Sequence, residues 1–198
     1  MCLYESVILT VRKVQHALVA FGANLQLSGQ FPPETLRAAA LALAAPDLAI
    51  LAMSRLFATP CFPAGAGPDY VNAAALVATD LDPAGLLQRL HAVEAAFGRE
   101  RVQRWGQRTL DLDLLAYGDL VLPDAATQDH WRGLAPEAQA RLAPDELILP
   151  HPRLQDRAFV LVPLADVAPA WRHPRLGLTV LEMLNRLEMA EITAVTPL

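Results

Sequence analysis

Three observations place this chain in the α+β class, as a ferredoxin-like βαββαβ core with a mainly antiparallel sheet and helices packed on it. Patterned segments between His16 and Leu115 run strand, helix, strand, strand, helix, strand. The two middle strands are separated only by a Gly/Pro/Ala loop, Pro63–Pro68, which favours hairpin pairing over a parallel crossover. The second helix carries both a start signal and a stop signal, so its bounds are set locally.

Each element has its own warrant. "HALVAF", His16–Phe21, is apolar enough for a buried strand, and "GANL" turns the chain after it. Pro32–Pro33 opens a helix, since proline is tolerated in the first turn, and an alanine- and leucine-rich run carries it from about Pro33 to Ala45, before Pro46. "LAILAMSRLFATP" reads as one strand stopping at Pro60, and "DYVNAAALVATD" as the next. Asp82–Pro83 supplies an N-cap carboxylate and a first-turn proline. Leu86, Leu87, Leu90, Val93, Glu94 and Phe97 then follow the helical period, and Gly98 ends it. After Gly118, residues 124–146 read as a surface insertion with one short helix near Pro136–Arg141. Dense patterning resumes at Leu147, and a C-terminal extension closes with a helix over Leu178–Leu187. Residues 1–15 read as an N-terminal extension, leaving 16–198 as a single domain.

Composition narrows the function. The chain has 198 residues, 54% of them apolar, which suits a globular domain with a real core. Its apolar runs are too short to span a bilayer, and no signal-peptide pattern opens the chain, so the expected setting is cytoplasmic without a membrane partner. Cys2 and Cys61 lack metal-site spacing. A net charge of −5 argues against a general nucleic-acid binder.

Within this acidic chain, "RWGQRTLDLDLLAYG", Arg104–Gly118, stands out. Side chains alternate faces on a strand, so Asp111 and Asp113 share one face while Leu110, Leu112 and Leu114 enter the core. Two carboxylates about 6.5–7 Å apart along a strand suit oxygen-loving divalent cations such as Mg²⁺. A bare D-x-D is equally what an exposed polar strand face looks like. Arg99, Arg101, Arg104 and Arg108, with Trp105 among them, favour the first reading, because guanidinium groups grip phosphate oxygens bidentately. With no Walker loop and no GxGxxG, phosphates must be held by side chains and metal.

"RWGQRTLDLDLL" closely resembles the signature of the 6-hydroxymethyl-7,8-dihydropterin pyrophosphokinase family. The resemblance extends, in order, over "GANL", "ATP" at 58–60, "PDYVNAA" at 68–74 and "LPHPRLQDRAFVLVPL" at 149–164. It implies a Mg²⁺-dependent enzyme that moves the pyrophosphoryl group of ATP to the hydroxymethyl oxygen of the pterin, releasing AMP, in folate biosynthesis. It also implies roles. Asp111 and Asp113 correspond to ligands of two Mg²⁺ ions, and Arg99 and Arg108 to catalytic arginines on the transferring phosphates. Glu94, Arg101, Arg104, His151 and Arg157 correspond to nucleotide contacts. Tyr70 and Phe159 match the pair that sandwiches the pterin ring, Trp105 the lid, and Thr59, Pro60 and Asn72 the pocket's edge and wall. Gln107, His91 and Pro152 depart from the family's usual residues at their positions. The expected partners are pterin and ATP alone, with the chain acting as a monomer.

Two other classes were weighed. A two-metal nuclease or nucleotidyl transferase on the same kind of sheet needs a third carboxylate on a neighbouring strand. A non-enzymatic RNA-binding module needs aromatic residues at alternate positions of a central strand.

Overall fold

The computed structural model describes residues 14–61, 67–98, 108–135, 138 and 141–198. In chain order the elements are β1 (Gln15–Ala23), α1 (Pro32–Leu43), β2 (Leu48–Met53), β3 (Phe57–Thr59), β4 (Tyr70–Thr79), α2 (Pro83–Ala96) and β5 (Asp111–Tyr117). They are followed by α3 (Ala125–Arg132), α4 (Ala158–Val167), α5 (Val180–Leu184), α6 (Met189–Thr193) and β6 (Thr196–Pro197). Among the described residues no helix is long and apolar enough to cross a membrane.

The strand order is β5-β1-β4-β3-β6, with β2 also paired to β4, and every pair is antiparallel. Taken as one interrupted strand, β2 and β3 complete the fourth-first-third-second order of a βαββαβ sheet. The interruption corrects the expectation of one continuous strand up to Pro60. Its register shifts between Ile50 and Ala52. Ser54 then turns inward: its N–H donates to Ala74 O at 2.9 Å, its hydroxyl accepts from Ala74 N at 2.9 Å and donates to Arg55 O at 2.7 Å. A serine that satisfies both main-chain groups of its partner residue takes the place of a ladder step.

β1 runs longer than the six residues read from its apolar pattern. Over Ala17–Val19 it is covered on both faces, so there its residues lose the alternation that marks a half-exposed strand. On one face Val19, Phe21, Ala75, Val77, Leu112 and Leu114 pack against α1 and α2. α2 has the anticipated start and stop: Asp82 accepts from Gly85 N at 2.7 Å, and Gly98, just past the helix, takes φ +69°, where glycine is unstrained. On the other face Leu18, Ala74 and Leu115 meet α4 and α5 through Val160, Leu161, Leu164, Val180 and Met183. Each fully buried leucine contributes about 1.5–3 kcal/mol through removal from water, so both layers are firmly held.

The C-terminal half adds to the reading and changes it once. The 124–146 insertion carries a further helix at Ala125–Arg132, capped by Asp124, which accepts from Thr127 N at 3.0 Å. The helix expected near Pro136–Arg141 falls largely outside the described residues. The closing helix is shorter than Leu178–Leu187 because Thr179 and Glu182 form a capping box that fixes its start at Val180.

Candidate active site

Among the described residues, the second face of the sheet is only half covered. α4 and α5 lie over Leu18, Ala74 and Leu115, and beyond them the strands carry Ala20, Gly22, Asn72, Asp111 and Asp113. Register explains the grouping. Gly22 of β1 sits opposite Asn72 of β4 and Asp111 of β5, and Ala20 opposite Ala74 and Asp113. The row Asn72–Gly22–Asp111 therefore has polar side chains at its ends and nothing in its middle. A Cβ at Gly22 would lie 3.3 Å from Asn72 Oδ1 and 3.9 Å from the Asp111 Cβ. Small residues on the central strand leave a floor on which a flat ligand can rest, with Phe159, 40% exposed, at its rim.

The alternation read from sequence holds: Leu110, Leu112 and Leu114 are buried and both aspartates are partly open on the other face. Arg108 pairs with Asp111. Its backbone is tied by Asn24, whose Oδ1 accepts from Arg108 N at 2.9 Å while its Nδ2 donates to Pro68 O at 3.2 Å. One asparagine thus joins the loop before β4 to the segment leading into β5. Sequence reading gave Asn24 no role beyond the "GANL" turn, although a buried amide directly after a strand was the available signal.

The outer edge of β5 is also tied. Glu94 on α2, 1% exposed, accepts from Leu112 N at 2.7 Å, between the two aspartates. It is not the solvated helix-end carboxylate that its position also allowed; it anchors the acidic strand from the helix side. His151 N donates to Leu115 O at 2.8 Å, bringing the 149–157 loop against the same edge.

That loop supplies cations. Burial pushes the Arg157 pKa down, with Asp113 and Asp111 opposing and Arg153 and Arg108 adding to the shift. Arg157 thus feels the charges of Asp113, Arg153, Asp111 and Arg108, and it lies 5.5 Å from the Phe159 ring centroid. Burial, then Arg157 and Arg153, pushes His151 down to about 3, so it is neutral at physiological pH. Its Nδ1 accepts from Arg153 N at 3.1 Å, which leaves the proton on Nε2. Arg153 was not singled out from sequence.

On the β3–β4 side, Asn72 donates to the Thr59 hydroxyl, and both are buried. Tyr70 pairs in register with Thr59. Burial raises the Tyr70 pKa, Arg108 opposes, and Cys61 and Asp111 add to the rise. Pro60 is exposed next to Thr59. Arg99, Arg101, Arg104 and Trp105 lie outside the described residues.

Chemically, two carboxylates form an all-oxygen donor pair suited to Mg²⁺. Among the described residues no three His, Cys, Asp or Glu side chains come together as a cage. A cation here would complete its shell with water and substrate oxygens, as Mg²⁺ does on phosphorylated substrates. The rival classes lose their supports. The central strand presents Leu18, Ala20 and Gly22 to this face, not alternating aromatics, and β1 offers no third carboxylate beside Asp111 and Asp113.

The fold and site define an α+β domain with an acidic, arginine-flanked pocket able to handle phosphates. A family model for 7,8-dihydro-6-hydroxymethylpterin-pyrophosphokinase (HPPK) matches residues 18–169, and the chain belongs to that family. Proteins named 2-amino-4-hydroxy-6-hydroxymethyldihydropteridine pyrophosphokinase are similar to it: 42% identical in Synechocystis over 66% of this chain and 56% of that protein, and 38% identical in Pseudomonas aeruginosa over 81% and 85%. The match thus spans little more than half the Synechocystis relative. A crystal structure of Plasmodium falciparum HPPK-DHPS with pteroate aligns at TM-score 0.61 and 15% identity, over 92% of this chain and 45% of that one, a likeness of fold.

Proposed function

We propose that this chain transfers the pyrophosphoryl group of ATP to the hydroxymethyl oxygen of 6-hydroxymethyl-7,8-dihydropterin, releasing AMP, as a step of folate biosynthesis. The observation that carries the reading is the half-open sheet face, where Asp111 and Asp113 stand beside Arg108, Arg157 and His151 over a floor of Ala20 and Gly22. Residues 16–198 act as one pyrophosphokinase domain, without nucleic acid or membrane as partner, as a cytoplasmic monomer.

Asp111 and Asp113 would hold two Mg²⁺ ions, their carboxylates supplying oxygen donors of the kind that ion takes. When bound, the ions neutralise triphosphate charge and acidify the acceptor hydroxyl. Arg108, with Arg99, neutralises the β- and γ-phosphates as the bond from the α-phosphate breaks and the bond to the pterin oxygen forms. Arg157, Arg101, Arg104 and His151 serve the nucleotide side, His151 donating from Nε2, and Glu94 supports that side from behind by anchoring β5 at Leu112 N. Tyr70 and Phe159 stack the pterin between them, Asn72, Thr59 and Pro60 line its edge and wall, and Trp105 covers it. Catalysis rests on positioning and charge, with no dedicated general base.

Incubation with Mg²⁺, ATP and hydroxymethyl-dihydropterin tests this. AMP and the pterin pyrophosphate are expected in equal amounts; ADP as product, or no turnover, overturns the assignment.

A further inference from the structure

The 124–146 insertion carries a buried polar contact that the proposed chemistry does not yet use. α3 is a polar helix, and Gln128 is its buried residue, at 0% exposure. Burying an amide costs free energy unless it is hydrogen-bonded, and leucine would fill the same space without that cost. A glutamine there calls for a partner that needs a donor. Gln128 Nε2 donates to Pro150 O at 3.2 Å. The N–H of the same peptide unit, that of His151, donates to Leu115 O at 2.8 Å. The Pro150–His151 peptide is therefore held at both its oxygen and its nitrogen, by α3 on one side and the edge of β5 on the other. A peptide plane held at both its oxygen and its nitrogen fixes the position of the next Cα, here that of His151. Arg153 N, donating to Nδ1 at 3.1 Å, then fixes ring orientation and tautomer.

The helix is itself anchored by other residues. Asp124 caps its start. Asp129, next to Gln128, joins Arg175 of the C-terminal segment and Arg132 of its own helix. Arg175 Nε donates to Asp129 Oδ1 at 3.2 Å, and Arg132 donates to the same oxygen at 2.8 Å. α3 thus spans from the 173–175 turn to the 149–157 loop.

We infer that Gln128 is a positioning residue for nucleotide binding: the insertion holds the Pro150–His151 peptide so that His151 Nε2 faces the ATP side of the site. The inference rests on the reading of His151 as a nucleotide contact, and the test separates the two. Gln128→Met keeps length and helix propensity while removing the donor. Binding of a non-hydrolysable ATP analogue with Mg²⁺ is measured by calorimetry, pterin binding is measured alongside it, and His151 is followed by imidazole nitrogen NMR. The analogue Kd is expected to weaken about fivefold, the factor of one net hydrogen bond. Pterin Kd should stay at the wild-type value, kcat should hold while the KM for ATP rises, and the His151 nitrogen signals should broaden or move. A merely structural role would lower stability and leave both Kd values alike; an unchanged analogue Kd in the folded variant overturns the inference. If Gln128→Met does not fold, surface variant Arg175→Gln, which releases Asp129 beside Gln128 from the C-terminal segment, decides it: selective loss of analogue affinity supports the inference and none overturns it. His151→Ala is the control. If it leaves the analogue Kd unchanged, the nucleotide role of His151 falls; if it weakens binding and Gln128→Met does not, only the role of Gln128 falls.

Discussion

The two ends of the α4-facing sheet surface are built from the same three strands and behave oppositely. At one end Leu18, Ala74 and Leu115 are sealed under α4 and α5; at the other Gly22, Asp111 and Asp113 are only partly covered by the described residues. What separates them is one or two residues of strand register. The strand that carries the aspartates is held from its covered side by leucines and along its edge by Glu94 and His151, so the open end gains rigidity without spending its own side chains on packing. A site of this kind should tolerate loss of its polar groups structurally and lose function sharply, while its underside should do the reverse.

Exchanging roles across that strand gives the largest effects. Asp113→Ala is expected to lower turnover by at least about 10²–10³-fold with a near-wild-type thermal midpoint; a kinetic assay beside calorimetry checks both. Leu112→Ala, one residue away on the buried face, should cost about 2–5 kcal/mol in stability. In denaturant titration that loss should appear while the folded fraction keeps most of its turnover per molecule. If the two variants behaved alike, the division between faces would be wrong.

A smaller effect sharpens the account of the floor. Gly22→Val places bulk 3.3 Å or less from Asn72 Oδ1 and between Asn72 and Asp111. Pterin affinity should fall about tenfold or more, read by pterin fluorescence, with the overall fold preserved by circular dichroism.

The smallest expected effect lies away from the site. His173 is buried, and burial, then Arg132, with Arg175 adding and Asp129 opposing, pushes its pKa down to about 4. Its Nδ1 accepts from Arg175 N and Leu176 N. Between about 4 and 6.5 the unfolded chain binds a proton at this residue that the folded one refuses, so stability rises with pH across that window and is lost on acidification. His173→Gln should flatten part of that slope in midpoint-against-pH measurements. His151, also pushed down, contributes with the same sign.

The acidic pair was legible in the sequence because alternation is a strong signal: Leu110, Leu112 and Leu114 report the buried face, and whatever lies between them must share the other. Asn72 was legible for a related reason, as an amide inside an apolar strand. Ala20 and Gly22 were not, since small residues in a central strand weaken its pattern and give no hint that their smallness shapes a floor. Ser54 hid the break between β2 and β3, because its two bonds to Ala74 depend on tertiary approach. Gln128 was invisible for the plainest reason: a polar residue in a polar helix has no periodic contrast, and only packing reveals it as buried. The order of elements up to β5, set by local start and stop signals, came through, whereas α4, almost uniformly apolar and so without a helical stripe, did not.

Central to this account is that Asp111 and Asp113 together seat the magnesium-bound triphosphate. Calorimetric titration of a non-hydrolysable ATP analogue, with and without Mg²⁺, into wild type and the Asp111→Asn/Asp113→Asn double variant tests this most directly. Mg²⁺ should tighten binding strongly in wild type and leave the double variant unchanged. An equal Mg²⁺ effect in both proteins would contradict it.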